Sequence, residues 1–205
     1  MGSEWRRFYE RSFSLKDYLT NLSSHAPLFE EIIREKPKKI LEVGIGTGSM
    51  SIFLSHLGYD VVGIDNAERI LLKAVQLNKK LNGNAKFCLC DAFKLSDKFA
   101  KDEFDVVFSQ GFLEHFNDDE IKNLISEQLK VGNVILFSVP SNFYPIKDFG
   151  NERLLSADEW SKILECFTVK FIKYYGLTYW GVKLLVKGLL KSPKRPILKT
   201  SSSIN

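Results

Sequence analysis

The sequence predicts an α/β domain: a doubly wound, mostly parallel sheet with helices on both faces, closed by a C-terminal antiparallel hairpin. Three observations carry that prediction. Short apolar runs alternate with amphipathic segments, the order of a parallel sheet built by right-handed crossovers. The first such run, Ile40 to Val43, passes directly into glycines at 44, 46 and 48 and then into a helical stripe. Near the end, Phe167 to Tyr174 and Leu177 to Val186 are aromatic and β-branched, split by Gly176, and read as an antiparallel pair.

Length and composition narrow the class. A chain of 205 residues makes one sizeable domain, and 44% hydrophobic with 26% charged residues is ordinary for a soluble globular protein. No apolar run approaches the ~20 residues of a membrane span, and no signal peptide is visible. Arg6 stands where a myristoylation signal wants Ser or Thr. Cys88, Cys90 and Cys166 give neither a disulfide framework nor metal spacing, so no metal site is expected and a reducing cytoplasm fits best. The net charge of +4 is uneven. From Cys166 onward the chain carries seven Lys, one Arg and no acidic residue.

The elements follow in order. Residues 1–36 form an N-terminal helical segment. Trp5, Phe8, Tyr9, Phe13 and Tyr18 make its first part aromatic, and Leu28, Phe29, Ile32 and Ile33 stripe a helix that leaves Glu30, Glu31 and Arg34 to solvent. Residues 37–190 form the main domain. After the first strand, Met50, Phe53, Leu54 and Leu57 share a helix face that Gly58 ends. Asp60 to Asp65 is a second strand finishing in a carboxylate 17 residues past Gly48. Ile70, Ala74, Leu77 and Leu81 stripe the next helix, and Ala85 to Cys90 form a third strand ending at Asp91-Ala92. Phe104 to Phe108 is the fourth, followed by Ser109-Gln110-Gly111-Phe112-Leu113-Glu114-His115-Phe116. Asn117 with Glu120 and Ser156 with Glu159 read as capping boxes opening two further helices. Between those helices lie the apolar strand Val134 to Val139 and a loop from Pro140 to Leu155, long enough to be functional. Residues 191–205 read as a basic flexible tail.

Three alternating glycines before a helix place bare backbone and a helix N-terminus beside a ligand. A dinucleotide fingerprint wants a small third residue at position 49, but that residue is Ser and the third glycine comes one place early, at 48. With Glu42 ahead of the glycines, the stretch resembles motif I of the class I S-adenosylmethionine-dependent methyltransferases. The Phe-Asp-x-Val and Gly-x-Leu-Glu-His sequences around the fourth strand resemble the small-molecule members of that family.

The resemblance implies a Rossmann-like seven-stranded sheet, six strands parallel and one antiparallel. It also implies S-adenosyl-L-methionine as cofactor, with S-adenosyl-L-homocysteine (SAH) as product. Glu42, Gly44, Ile45, Gly46, Gly48 and Asn66 then bind the cofactor. Asp65 meets the ribose, Asp91 and Ala92 the adenine, and Ser109, Gln110 and Gly111 line the methionine side with His115 beside them. The N-terminal segment is expected to fold over the cofactor as a lid.

Chemically, the expected reaction is methyl transfer to an oxygen or nitrogen of a small-molecule acceptor, with His115 the candidate base. His25 is a weaker candidate and His56 a surface residue. Two other readings stand beside it. The basic C-terminal region, with Tyr174, Tyr175, Tyr179 and Trp180, would suit nucleic acid or an anionic membrane. A relative that binds the cofactor without turnover is the other. The acceptor and the oligomeric state are not encoded in any motif.

Overall fold

The computed structural model describes residues 14–145, 147, 151–176 and 183–189. They form α1 (Leu15–Ser24), α2 (Ala26–Arg34), β1 (Lys39–Val43), α3 (Ser49–His56), β2 (Asp60–Asp65), α4 (Glu68–Lys80), β3 (Lys86–Leu89), β4 (Phe104–Gln110), α5 (Asp118–Val131), β5 (Gly132–Pro140), α6 (Ala157–Ile163), β6 (Phe171–Tyr175) and β7 (Lys183–Leu189). Short 3-10 helices cover Ala92–Asp97 and Leu113–His115. The strands join in one sheet, ordered β3-β2-β1-β4-β5-β7-β6. Pairing is parallel from β3 to β5, and β7 runs antiparallel to both of its neighbours. The expected mostly parallel sheet with its closing hairpin is therefore the observed one. The chain winds outward from β1 to β3, then crosses back to β4, so the sheet's switch point lies between β1 and β4. Ligand crevices in such sheets open there, at the carboxyl edge.

Both faces of the central strands are buried. Ile40 joins Leu28, Ile32, Met50 and Leu54 on one face; Leu41 joins Ile121, Leu124, Ile125 and Trp160 on the other. Successive residues of a strand point to opposite faces, so one short apolar run feeds two core layers. Each of α1, α5 and α6 opens with a capping box, Ser14 with Asp17, Asn117 with Glu120 and Ser156 with Glu159. The last two were legible in sequence. Gly132 ends α5 and begins β5 with no loop between them, and only glycine fits there, since a Cβ would sit 2.3 Å from Val107 Cγ2. The long segment after β5 is tied at its ends: Ser141 pairs with Leu155 in a parallel bridge, and the Asn142 N–H donates to the Leu155 carbonyl at 3.2 Å.

Some expectations need correction. The helix after the glycines is shorter than its stripe: Leu57 lies past its end and is 48% exposed, while Ser51, Ile52 and Ser55 are buried. That helix is enclosed by α1, α4 and β2, which a one-sided stripe does not describe. The last strand is described from Lys183 to Leu189, and the expected start at Leu177 lies outside the described residues. Trp5, Phe8, Tyr9 and Phe13, residues 177–182 and the basic tail 191–205 lie outside the described residues.

Glu31 is the clearest reversal. Expected at the surface, it is 2% exposed. Its Oε2 accepts from Lys187 Nζ at 2.9 Å, and its Oε1 from Lys173 Nζ and Arg34 Nη1, each at 2.9 Å. Lys187 is buried too and also reaches Glu35, at 2.7 Å. The hairpin folds back over α2 and turns its outer face into an interface. Removing one partner of a buried ion pair leaves the other charge stranded, which costs about 3–5 kcal/mol. Because Glu35 remains for Lys187, Glu31→Ala should destabilise by the lower part of that range, ~3 kcal/mol in urea unfolding. A loss below about 1 kcal/mol, the level of an exposed pair, would show that the cluster is solvated.

Candidate functional site

The carboxyl edge of the sheet carries an open cleft of about 890 Å³, whose walls run from the β3 end past the β1–β4 switch point to β5 and β7. Its floor is the glycine turn. Gly44, Gly46 and Gly48 have φ of 73°, 53° and 73°, left-handed values that side chains disfavour. The N–H groups of Gly44 and Ile45 both donate to the Ile64 carbonyl, at 3.0 and 3.2 Å, which fixes the turn against β2. A Cβ on Gly44 would lie 2.6 Å from the Phe112 ring. Gly44, Ile45 and Gly46 line the cleft. Gly48 stands behind it at the start of α3, where a Cβ would meet the Ala74 Cβ at 2.9 Å.

With glycine at its N-cap, α3 has no side chain of its own to satisfy its first N–H groups. Glu42, buried on β1, supplies one. Its Oε2 accepts from the Ser51 N–H at 2.9 Å and from the Ser51 hydroxyl. Burial, with Asp65 adding like charge, outweighs these bonds and pushes the Glu42 carboxyl up to about 8. Asp65 ends β2 at the cleft wall, its Oδ1 accepting from the Ala67 N–H at 2.9 Å. Burial raises its carboxyl, against the pull of backbone N–H groups of Ala67, Asn66 and Gly46. Asn66 lies next to it on the wall.

Asp91, Ala92 and Phe93 form the far rim, where Asp91 Oδ1 accepts from the Phe93 N–H at 3.0 Å and opens the 3-10 helix. At the end of β4, Gln110 and Gly111 line the cleft, and Gly111 turns with φ 62°. Ser109 does not line it: strand alternation turns this side chain inward, and its Oγ is buried with no partner. His115 lies on the cleft wall, Nδ1 3.0 Å from Asn151 Oδ1. Burial lowers its pKa, while Asn151, the Glu152 charge and the Gly111 backbone oppose that shift. The imidazole is therefore neutral near pH 7 and able to take up a proton. Arg153 clamps this corner, its guanidinium donating to the Phe116 carbonyl at 2.8 Å and to Asp118 Oδ1 at 2.6 Å.

The other histidines separate cleanly. His56 is exposed, its Nε2 3.0 Å from the Leu81 carbonyl oxygen. His25 is buried and does not line the cleft, although its Nε2 lies 3.3 Å from the Nζ of Lys183, which does. Sequence reasoning missed Asn21, Asn151, Glu152 and Lys183 on the cleft wall. Asn21, on α1, donates from Nδ2 to Ser49 Oγ at 3.2 Å, while its Oδ1 is buried without a partner. An orphaned acceptor on a cleft wall suits a ligand that brings a donor. Among the described residues no three His, Cys, Asp or Glu side chains group so as to hold a metal ion, and no helix is long and apolar enough to cross a membrane.

Comparison with known proteins bears on this geometry. Residues 40–132 match the family model of a methyltransferase domain. A 104-residue stretch is 30% identical to phosphoethanolamine N-methyltransferase 3 of Arabidopsis thaliana, covering 48% of this chain and 20% of that one. A 102-residue stretch is 34% identical to the ubiquinone biosynthesis O-methyltransferase of Idiomarina loihiensis, covering 49% and 42%. The chain thus spans well under two thirds of these relatives. Among solved structures, magnesium protoporphyrin IX methyltransferase from Synechocystis with bound SAH superposes with a TM-score of 0.68 at 16% identity, over 92% of this chain and 93% of that one. That likeness is one of fold.

The Glu42 carboxyl gives a pH test. The folded state keeps, up to about pH 8, a proton that the unfolded chain releases near 4.5. Its contribution to stability is therefore full below about 4.5 and is lost as pH rises through about 8. Glu42→Gln keeps an acceptor for Ser51 but cannot ionise, so unfolding free energies in urea should fall less steeply over that window than in the wild type. Equal slopes in the two proteins would show that Glu42 is ionised throughout.

Proposed function

We propose that this chain is a class I S-adenosylmethionine-dependent methyltransferase, which transfers the cofactor's methyl group to an oxygen or nitrogen of a small-molecule acceptor; the match of residues 40–132 to a methyltransferase-domain model supports the reading. The observation that carries the reading is the meeting of the left-handed Gly44 and Gly46 turn with the Asp65 carboxylate in one cleft. The residues fit the group. Gly44, Ile45 and Gly46 offer backbone that a ligand can approach closely. Asp65 offers carboxylate oxygens to a ribose diol, which donates two hydrogen bonds. Asp91 and Ala92 stand at the far rim for the adenine, with Gln110 and Gly111 at the opposite end for the amino-acid portion.

The cofactor supplies a methyl group on a positively charged sulfur, already activated for transfer. The protein's work is alignment and exclusion of water. Tyr144, Asn151 and Glu152 line the cleft together with His115, the part that this reading gives to the acceptor. His115, neutral near pH 7, takes the acceptor's proton at a ring nitrogen. Two curated relatives are named for small-molecule acceptors, one for phosphoethanolamine and one for ubiquinone biosynthesis. A third, the histidine protein methyltransferase 1 homolog of Dictyostelium discoideum, matches 80% of this chain at 26% identity and is named for a protein acceptor.

Calorimetry should give binding of S-adenosylmethionine and SAH, with NAD far weaker because the glycine spacing suits no pyrophosphate. Asp65→Ala should weaken SAH by about 1.5–3 kcal/mol, the range for hydrogen bonds to a charged group, and Asp65→Asn by less. Tighter binding of NAD, or wild-type affinity in both variants, would end the reading. For the reaction itself, the loaded protein is offered a panel of amines and phenols and SAH release is followed by mass spectrometry. His115→Gln should lower kcat about 10²-fold or more on any acceptor that must lose its proton in the transition state. An unchanged kcat on a phenol would remove His115 from the role of base.

A further inference from the structure

His115 ends the 3-10 helix Leu113–His115, and the backbone on both sides of it is held by one residue from far along the chain. The Arg153 N–H donates to the Glu114 carbonyl at 2.9 Å. The Arg153 guanidinium donates to the Phe116 carbonyl at 2.8 Å and to Asp118 Oδ1 at 2.6 Å. Two residues before Arg153, Asn151 meets the imidazole itself, its Oδ1 3.0 Å from His115 Nδ1. The arm is anchored in turn at Leu155, which bridges to Ser141 and packs against the core. Residues 151–155 therefore fix the backbone that carries the ring and one edge of the ring as well.

The chemistry of the contact gives it a direction. An amide oxygen only accepts, so His115 Nδ1 carries a proton and donates it. A neutral imidazole has a single ring N–H, and the lone pair is then left on Nε2. Glu114 Oε1 lies 3.9 Å from Nε2, too far for a hydrogen bond that would compete with the one at Nδ1.

The amide has a second merit. Charged groups of this corner are Glu114, Glu152 and the Arg153–Asp118 pair, with Lys183 on the same cleft wall. Burial lowers the His115 pKa, and Asn151, the Glu152 charge and the Gly111 backbone oppose that shift without reversing it. Asn151→Asp would offer the same oxygen but add a negative charge that holds the imidazolium, and a protonated ring accepts nothing. A base must be both oriented and unprotonated at its working pH. The amide supplies the first without undoing the second.

We propose that Asn151 is the positioning residue of His115, keeping the ring proton on Nδ1 and so leaving Nε2 as the nitrogen that takes a proton from the acceptor. The catalytic part of this rests on the reading of His115 as the base. The orientation of the ring is measurable without turnover.

The test labels histidine with ¹⁵N in the full chain and follows each ring's tautomer and titration by NMR, the His115 signals being those lost in His115→Gln. The variants are Asn151→Leu, which removes the acceptor, and Asn151→Asp, which keeps the oxygen and adds charge. Each is first matched to the wild type in circular dichroism and melting temperature. The wild-type ring should carry its proton on Nδ1, and Asn151→Leu should lose that single tautomer. Asn151→Asp should keep the tautomer and raise the His115 pKa by about one pH unit or more. On a phenol, Asn151→Leu should lower kcat about tenfold or more while SAH affinity stays at the wild-type value. A wild-type ring protonated on Nε2 overturns the proposal, as does an Nδ1–H tautomer retained in Asn151→Leu, where the Gly111 backbone alone would suffice. An unshifted pKa in Asn151→Asp also overturns it, and decides the matter by itself if Asn151→Leu fails to fold. If His115→Gln leaves kcat on the phenol unchanged, the base reading falls, while the spectra still decide whether Asn151 sets the tautomer.

Discussion

The contact on which the site depends is that of the Glu42 carboxyl group with the N-terminus of α3. Glycine at the N-cap frees the turn to adopt left-handed angles but deprives the helix of a capping side chain. Glu42 makes up the deficit from the central strand through Ser51, and so ties the first turn of α3 to the sheet. The partly positive end of the helix faces the carboxyl group, which supports its ionised form even as burial opposes it. The exposed backbone of Gly44 and Gly46 can therefore be both bare and rigid. A turn this rich in glycine would otherwise lose order before it could preorganise anything.

Both signs of charge line the cleft. Asp65 and Asp91 stand at the ends of β2 and β3, with Glu68, Arg69 and Lys73 from α4 on the same wall, and Glu114, Glu152 and Lys183 line it beyond the switch point. The cleft draws on several parts of the chain. Residues 40–132, the stretch that matches the family model, supply the glycine turn and both aspartates. Asn21, Asn151, Glu152 and Lys183 come from outside that stretch. The cleft is thus assembled from the matched stretch together with residues on either side of it.

That division explains what could be read in advance. The sheet, its closing hairpin, two of the capping boxes and the glycine turn were legible because each is written in neighbouring residues. Asp65 was legible because a strand end and a fixed distance from the glycines locate it. Lys183 and His25 meet across 158 positions of sequence, and no local pattern announces such a pair. Glu31 was misplaced for a related reason. A helical stripe tells which face meets the sheet, but it does not reveal that a hairpin from the far end covers the other. Ser109 was carried over with its motif, yet the two-residue period of β4 sends it inward while Gln110 and Gly111 face the cleft.

One junction has a bearing on how such a domain changes over generations. The segment after β5 leaves the sheet at Ser141 and returns at Leu155, and those two residues are bridged to each other. Closing a loop costs only about 0.6 kcal/mol more for each doubling of its length, so added length between the two joined ends costs the fold little. Residues 151–153 are the exception. Asn151 meets His115, the Arg153 N–H donates to the Glu114 carbonyl, and the Arg153 guanidinium reaches Phe116 and Asp118. Insertions are therefore cheap ahead of position 151 and costly from there to Leu155.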